Sequence, residues 1–420
     1  MEKQSTQVVI IGAGPSGSTA SALLHQRGIK VIVLEKAQFP RFSIGESLLP
    51  ACMEVVEQAG MLDAVNQHGF QFKNGAAFRK QGVYTEFDFT DKFTPGPGTT
   101  FQVQRATFDK VLADDAQRQG VEIRYQHEVT EVTFEGSKSR LVVTDEHGQA
   151  YQIEADYLLD ASGFGRVLPK LLALEEPSCL PPRKAIFTHI VDNIDGDGDG
   201  IAYTRDKILI SVHPENADVW YWLIPFSNGV CSFGVVGTPE FFQRYPDDKL
   251  AALQQLASEE PGLAQLLNKA QYPNPAGELG GYSANVKHLA TPHYALLGNA
   301  GEFLDPVFSS GVTIAMKSAQ FAVECVEKQL AGEVVDWQKA YAEPLMVGVN
   351  TFRSYVEGWY DGTLQEVIFF DDPNPRIKQM ISSILAGYAW DESNPYVKES
   401  RRRLASLAEF VRELRTETAL

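Results

Sequence analysis

The chain has 420 residues, 44% hydrophobic and 22% charged, which is long enough for two or three packed layers and two domains in close contact. A formal charge of -17 excludes the cationic field that non-specific nucleic-acid binding or attraction to anionic membranes requires, so the expected partners are small molecules. Four cysteines (Cys52, Cys179, Cys231, Cys325) lie far apart with no CxxC pair. They read as buried thiols of a reducing compartment, with neither a disulfide framework nor a zinc site. The opening "MEKQSTQVVIIGAG" lacks the charged start and long apolar stretch of a signal peptide, and no apolar run reaches spanning length. A cytoplasmic protein without a membrane span is expected.

Residues 7 to 35 alternate strand, glycine turn, helix and strand, which makes one βαβ unit. A helical pattern follows from Ser47 to about Gly60, then short strands and loops from 70 to 103, and a second amphipathic helix from about Ala106 to Gly120. Strands follow at "VEIRYQ", "EVTEVTFE", "RLVVTDE" and "YQIEADYLLDASG". Lys184 to Gly237 is mostly strand and reads as a separate antiparallel sheet. Past Thr238 the pattern turns helical, returns as the strand "HYALLGNAG", and ends in long helices from Gly311 to Leu420. The reading is α/β. A doubly wound, Rossmann-like nucleotide-binding domain (1–70, 99–180, 285–335) is interleaved with a substrate-binding sheet domain (71–98, 181–284), and a helical region (336–420) follows.

"GAGPSG" supplies Gly12, Gly14 and Gly17 in GxGxxG spacing after an apolar strand and at the start of a helix, with Glu35 ending the next strand. Gly12 suits a tight turn, Gly14 lets backbone approach a pyrophosphate, and Gly17 lets helix pack on strand. The helix N-terminus offers N–H donors to an anion, and Glu35 can accept from ribose hydroxyls. A glycine-rich turn in an unrelated βαβ unit would share the motif but not its full context.

"HYALLGNAGEFLDPVFSSGVTIAMKSAQFAVECV" resembles the second flavin-binding motif of the FAD-dependent monooxygenase superfamily, in which a helix N-terminus points at the isoalloxazine ring. Free N–H groups there favour the negative charge of reduced flavin. The chain departs from the motif at Asn299, where the family usually has Asp. "QRATFDKVL" resembles the stretch that brings the family's arginine to the flavin, and "DASGFGR" its mid-chain motif. The fold this implies is that of the p-hydroxybenzoate-hydroxylase-like flavoproteins. The cofactor implied is FAD, held by Gly12, Gly14, Pro15, Ser16, Gly17, Glu35, Lys36, Ser47, Arg105, Val129, Gly163, Asn299, Pro306, Gly311 and Val312.

"PRFSIGESLLP", with Gly45-Glu46-Ser47 at an expected helix start, resembles the branch containing flavin-dependent halogenases and geranylgeranyl reductases, as does "DPVFSSG". "VWYWLIP" is similar to the halogenase signature GWxWxIP at Trp220, Trp222, Ile224 and Pro225, with Val219 in place of the glycine. In a strand, Trp220, Trp222 and Ile224 share one face and Tyr221 and Leu223 the other, so the run makes a slab of core or one wall of a substrate chamber. "GFQFKNGAAF" resembles the strand that carries the halogenase lysine, here Lys73. An ammonium in an apolar tunnel holds hypohalous acid by hydrogen bonding or, with its pKa lowered, forms a haloamine. A solvated strand lysine alternating with Phe70 and Phe72 is the plain alternative. A halide is expected at Ser310 and Gly311.

The resemblance implies a halogenase-like monooxygenase that uses reduced FAD, O2 and halide on an electron-rich aromatic, free or carrier-tethered. No second GxGxxG appears, so a separate flavin reductase is expected to supply reduced flavin. The alternatives are a reductase of isoprenoid double bonds, an aromatic hydroxylase and an inactive flavin-binding protein. Among weaker signals, "IDGDGDG" orders Asp195, Asp197 and Asp199 as an EF-hand loop would, but without flanking helices it reads as an acidic hairpin and no metal is expected. His189, His213 and His293 read as structural. Phe369, Phe370, Trp359 and Trp390 are candidates to line or cap the cavity. Arg401, Arg402 and Arg403 on the final amphipathic helix are candidates to meet an acidic carrier protein.

Overall fold

Period-2 alternation divides the first strand between two layers. In Lys3–Ile11, Val8 and Ile10 face the main core beneath the helices, while Val9 and Ile11 face a smaller core with Val129, Leu141, Val143 and Ile153. The computed structural model describes residues 2–196, 198 and 200–418. Its first seven-stranded sheet runs Glu122–Tyr125, Val31–Glu35, Lys3–Ile11, Ala150–Asp160, Lys138–Thr144, Glu128–Glu135, with Tyr294–Leu296 paired to Ala150–Asp160. The first four strands and Tyr294–Leu296 are parallel; the remaining pairs are antiparallel. Helices Pro15–Gln26, Arg105–Gln119 and Gly311–Leu330 cover one face, and their apolar sides join Val8, Ile10 and Val33 in the main core.

The second seven-stranded sheet runs Gly277–Gly280, Lys184–Val191, Val230–Gly237, Trp220–Pro225, Lys207–Val212, Gly75–Lys80, Val83–Asp88. The sequence suggests a purely antiparallel sheet, but Gly75–Lys80 lies parallel to Lys207–Val212. The chain that supplies that strand arrives from the nucleotide-binding side rather than through a hairpin, so antiparallel pairing is not imposed.

Three local expectations are corrected. The helix expected from Ser47 begins at Ala51 and ends at Gln58. Leu48 N donates to Phe101 O (3.1 Å) and Val103 N to Glu46 O (2.7 Å), which holds 46–48 extended, and Pro50 disfavours helix in the residue before it. Cys179 is exposed, unlike the other three cysteines. The four C-terminal aromatics lie away from the large cavity described below. Trp359 is sealed between Phe78 and Phe308, Trp390 packs over Gly348, Phe369 is in the core, and Phe370 lines a separate apolar pocket of about 330 Å³.

Asp197 and Asp199 of the acidic hairpin lie outside the described residues, and Asp195 pairs with Lys269. Among the described residues, no group of three His, Cys, Asp or Glu is placed to hold a metal, and no helix is long and apolar enough to cross a membrane. Arg401, Arg402 and Arg403 are exposed and paired with Glu357 and Glu399.

Candidate functional site

A cavity of about 1120 Å³ opens between the two sheets. It exceeds the roughly 300–1,000 Å³ typical of a single small-ligand site. One end is the glycine turn. Helix Pro15–Gln26 has no side-chain cap, and its first return bond is Ser18 N to Gly14 O at 2.9 Å, so the amides ahead of it have no acceptor one turn back. Gly14, Pro15 and Ser16 line the cavity there. Gly17 does not; it packs the helix, and a Cβ on it would stand 1.9 Å from Gly12 O. Glu35 ends its strand at the wall, accepting from Ala13 N through Oε2 and from Ala37 N through Oε1, both at 2.9 Å. Lys36, Val129 and Gly163 complete this end.

The middle is set by two charged groups. Arg105 grips buried Asp109 through Nε (2.7 Å) and Nη2 (3.1 Å), and its Nη1 donates to Ile44 O at 2.8 Å, tying the helix start to the loop that carries Gly45 and Glu46. Arg41 donates to the same Asp109 at 3.2 Å and lines the cavity; nothing in the local pattern singles it out beforehand. Opposite stands the N-terminus of helix Gly311–Leu330, likewise uncapped, whose first return bond is Ile314 N to Ser310 O. Asn299, Pro306, Gly311 and Val312 line the cavity, whereas Ser310 is buried behind it.

The far wall is the strand Trp220–Pro225. Trp220, Trp222 and Ile224 line the cavity and join the main core, while Tyr221 and Leu223 fill the core on the other side of the sheet. The run is thus both a slab of core and a chamber wall. Both indole N–H groups are satisfied, Trp220 on Tyr360 and Trp222 on Ser232, each at 3.0 Å, which leaves ring surface for the cavity. Pro225 ends the strand outside it.

Lys73 lies one layer behind. Its strand Gln71–Lys73 pairs with Thr100–Gln102, and Gln102 bridges to Ser47, so Lys73 reaches across to Ser47. Nζ donates to Ser47 Oγ and Leu48 O, both at 2.7 Å, and lies 5.5 Å from the Phe89 ring centre. Burial pulls its pKa down from 10.5 to about 7. The expected apolar tunnel is instead a sealed, partly polar seat, and Ser47 is the member of this cluster that faces the cavity. His189 hydrogen-bonds cavity-lining Glu46, whereas His213 bonds Glu259 and His293 packs on Phe134.

Two uncapped helix N-termini, a glycine turn against a strand-end glutamate and a long cavity between sheets define an FAD-binding flavoprotein. The donors at both helix ends suit a pyrophosphate and an anionic flavin edge, so the residues fit the cofactor. The family model "FAD binding domain" matches residues 5–176. A solved flavoprotein/dehydrogenase from Cytophaga hutchinsonii is 42% identical, with 98% of this chain and 99% of that chain covered and a TM-score of 0.93. Tryptophan 2-halogenase of Chondromyces crocatus is 30% identical over 79% of this chain, which spans only 62% of that relative's length. The 1H-pyrrole-2-carbonyl-(peptidyl-carrier protein) chlorinase of Pseudomonas fluorescens is 27% identical, with 97% of this chain and 95% of that protein covered. The chain is thus a flavoprotein with an FAD-binding domain, and along most of its length it is similar to flavin-dependent halogenases.

Proposed function

We propose that the protein is a halogenase-like monooxygenase acting on an electron-rich aromatic, with reduced flavin supplied by a separate reductase. Bound FAD, once reduced, supplies the electrons with which O2 oxidises a halide. The residues proposed to hold it are those of the glycine turn, Glu35, Arg105, Asn299 and the start of the helix at Gly311. The observation that carries the reading is the inverted strand Gln71–Lys73, whose Phe72 is 43% exposed while Lys73 is fully buried and makes no ion pair with a carboxylate among the described residues. Burying an unpaired amine costs several kcal/mol. Lys73, held partly neutral near pH 7, is one hydroxyl away from the cavity, and its proposed reaction with hypohalous acid requires the Ser47 side chain to turn aside. Trp220, Trp222 and Ile224 keep the organic substrate apart from the flavin end, and Gly311 with Ser310 is the proposed halide seat. The carrier-tethered substrate in the chlorinase's name supports a tethered aromatic as one form of substrate.

The test is anaerobic reduction of the FAD-loaded protein, then oxygen with and without bromide, following monochlorodimedone. Bromide-dependent halogenation is expected, and Lys73→Ala should keep oxidant formation while losing transfer to an aromatic. Reoxidation indifferent to bromide refutes the reading. It would favour a second one, a flavin-dependent reductase, which the name of the Cytophaga flavoprotein/dehydrogenase supports.

A further inference from the structure

One carboxylate in the cavity wall takes no part in the chemistry above. Glu46 is only 3% exposed and lines the cavity. Its Oε1 lies 2.7 Å from His189 Nε2, whereas Oε2 has no hydrogen-bond partner among the described residues and is not sealed in protein. The other glutamates of the wall differ. Glu35 spends both oxygens on backbone amides, and Glu128 and Glu278 are exposed and paired with Lys36 and Lys184. His189 is itself fixed, edge-on to Phe226 at 5.3 Å. Burial opposes its charged form, but the hydrogen bond and charge of Glu46 outweigh this and raise its pKa.

The surroundings point to an aromatic ligand. Phe42 stacks on Phe187 at 6.1 Å, and Phe187 leans on Trp222 at 6.1 Å. A ring laid on this wall brings an edge substituent towards Glu46. A ligand that displaces solvent from this cavity-facing oxygen keeps it paired only by bringing an O–H or N–H of its own. A ligand without one leaves it unpaired and is rejected.

We propose that Glu46, oriented by His189, is the substrate-positioning acceptor of the cavity. It takes a hydrogen bond from the hydroxyl or ring N–H of an electron-rich aromatic and selects phenols and pyrrole-type heterocycles over their O- or N-methylated counterparts. This rests on the halogenase-like reading for the aromatic nature of the substrate and adds the residue that reads its hydroxyl or ring N–H.

The test is titration of the oxidised, FAD-loaded protein with phenol, anisole, pyrrole and N-methylpyrrole, read by the flavin difference spectrum and by calorimetry. Phenol and pyrrole should bind about tenfold or more tighter than their methylated partners. Glu46→Gln should shrink that ratio to within about twofold, Glu46→Asp should recover part of it, and His189→Asn should give an intermediate loss. If Glu46→Gln holds no FAD, His189→Asn carries the comparison. The proposal is overturned by a ratio unchanged in the variants, by no saturable binding of any probe, or by a change in FAD affinity alone, which would assign the carboxylate to the cofactor. Bromide-dependent halogenation by the unaltered protein reports separately on the parent reading, so the two fail in different assays.

Discussion

The indole N–H of Trp220 donates to the phenolic oxygen of Tyr360 at 3.0 Å, and that hydroxyl in turn donates to Asp305 Oδ2 at 2.9 Å. The chain of bonds joins the cavity wall, the last residue of helix Glu343–Tyr360 and the turn before helix Gly311–Leu330. The Arg183 guanidinium lies over the Tyr360 ring at 3.8 Å. Tyr360→Phe leaves the buried Trp220 N–H without its acceptor and leaves Asp305 Oδ2 with only the longer bond from Tyr282 at 3.5 Å. A loss of about 1–3 kcal/mol is expected, read by urea denaturation, with FAD content retained. Unchanged stability would mean that the three elements are not coupled through this hydroxyl.

Lys73 makes stability depend on pH. Burial lowers its folded-state pKa from 10.5 to about 7, so between those values the unfolded chain binds more protons. Stability from this group therefore rises as pH rises through that window, and the full penalty applies below it. Lys73→Met removes the dependence. Its stability relative to the parent should fall by about 2–3 kcal/mol between pH 6.5 and pH 9. Parallel urea-denaturation curves at the two pH values would contradict a depressed amine.

Gly17 carries no chemistry, yet its substitution should abolish cofactor loading. A Cβ there would stand 1.9 Å from Gly12 O and 3.3 Å from Ala161 Cβ, so the helix must lift off the strand that carries the turn. Gly17→Ala is expected to lose most bound FAD, measured as the flavin-to-protein absorbance ratio, and to be destabilised by several kcal/mol. Full occupancy in the variant would show that the turn yields more easily than this packing implies.

Features fixed by local geometry could be read before the fold was known. The glycine turn, Glu35 at a strand end and the helix start at Gly311 each depend on a few consecutive residues. The two faces of Trp220–Pro225 followed from the strand period alone. Tertiary pairing decided the rest. Residues 46–48 carry helical patterning but are claimed by hydrogen bonds to Phe101 and Val103. Glu46 and His189 are 143 residues apart, on segments with no local tie, and Arg41 gains its role only where Asp109 meets it. Helical periodicity shows that Trp359 is buried somewhere but not which neighbour buries it.

Gly234 permits the chamber wall. It lies opposite Trp222 in the register of Trp220–Pro225 with Val230–Gly237, and the indole lies across it, so an added Cβ would stand 2.3 Å from Trp222 Cζ2. A glycine inside a strand weakens it and is retained where something must approach closely, which here is the indole plane. Gly234→Ala forces the ring outward and breaks its bond to Ser232 Oγ. Gly234 does not line the cavity, and the glycine turn at the cavity's other end is untouched. The variant should therefore keep its FAD, lose about 1–3 kcal/mol of stability, and bind phenol at least several-fold more weakly. Flavin content, urea denaturation and phenol titration separate these outcomes. Loss of FAD together with phenol binding would mean that the wall and the cofactor end move as one body, whereas loss of phenol alone assigns Trp222 to the aromatic chamber.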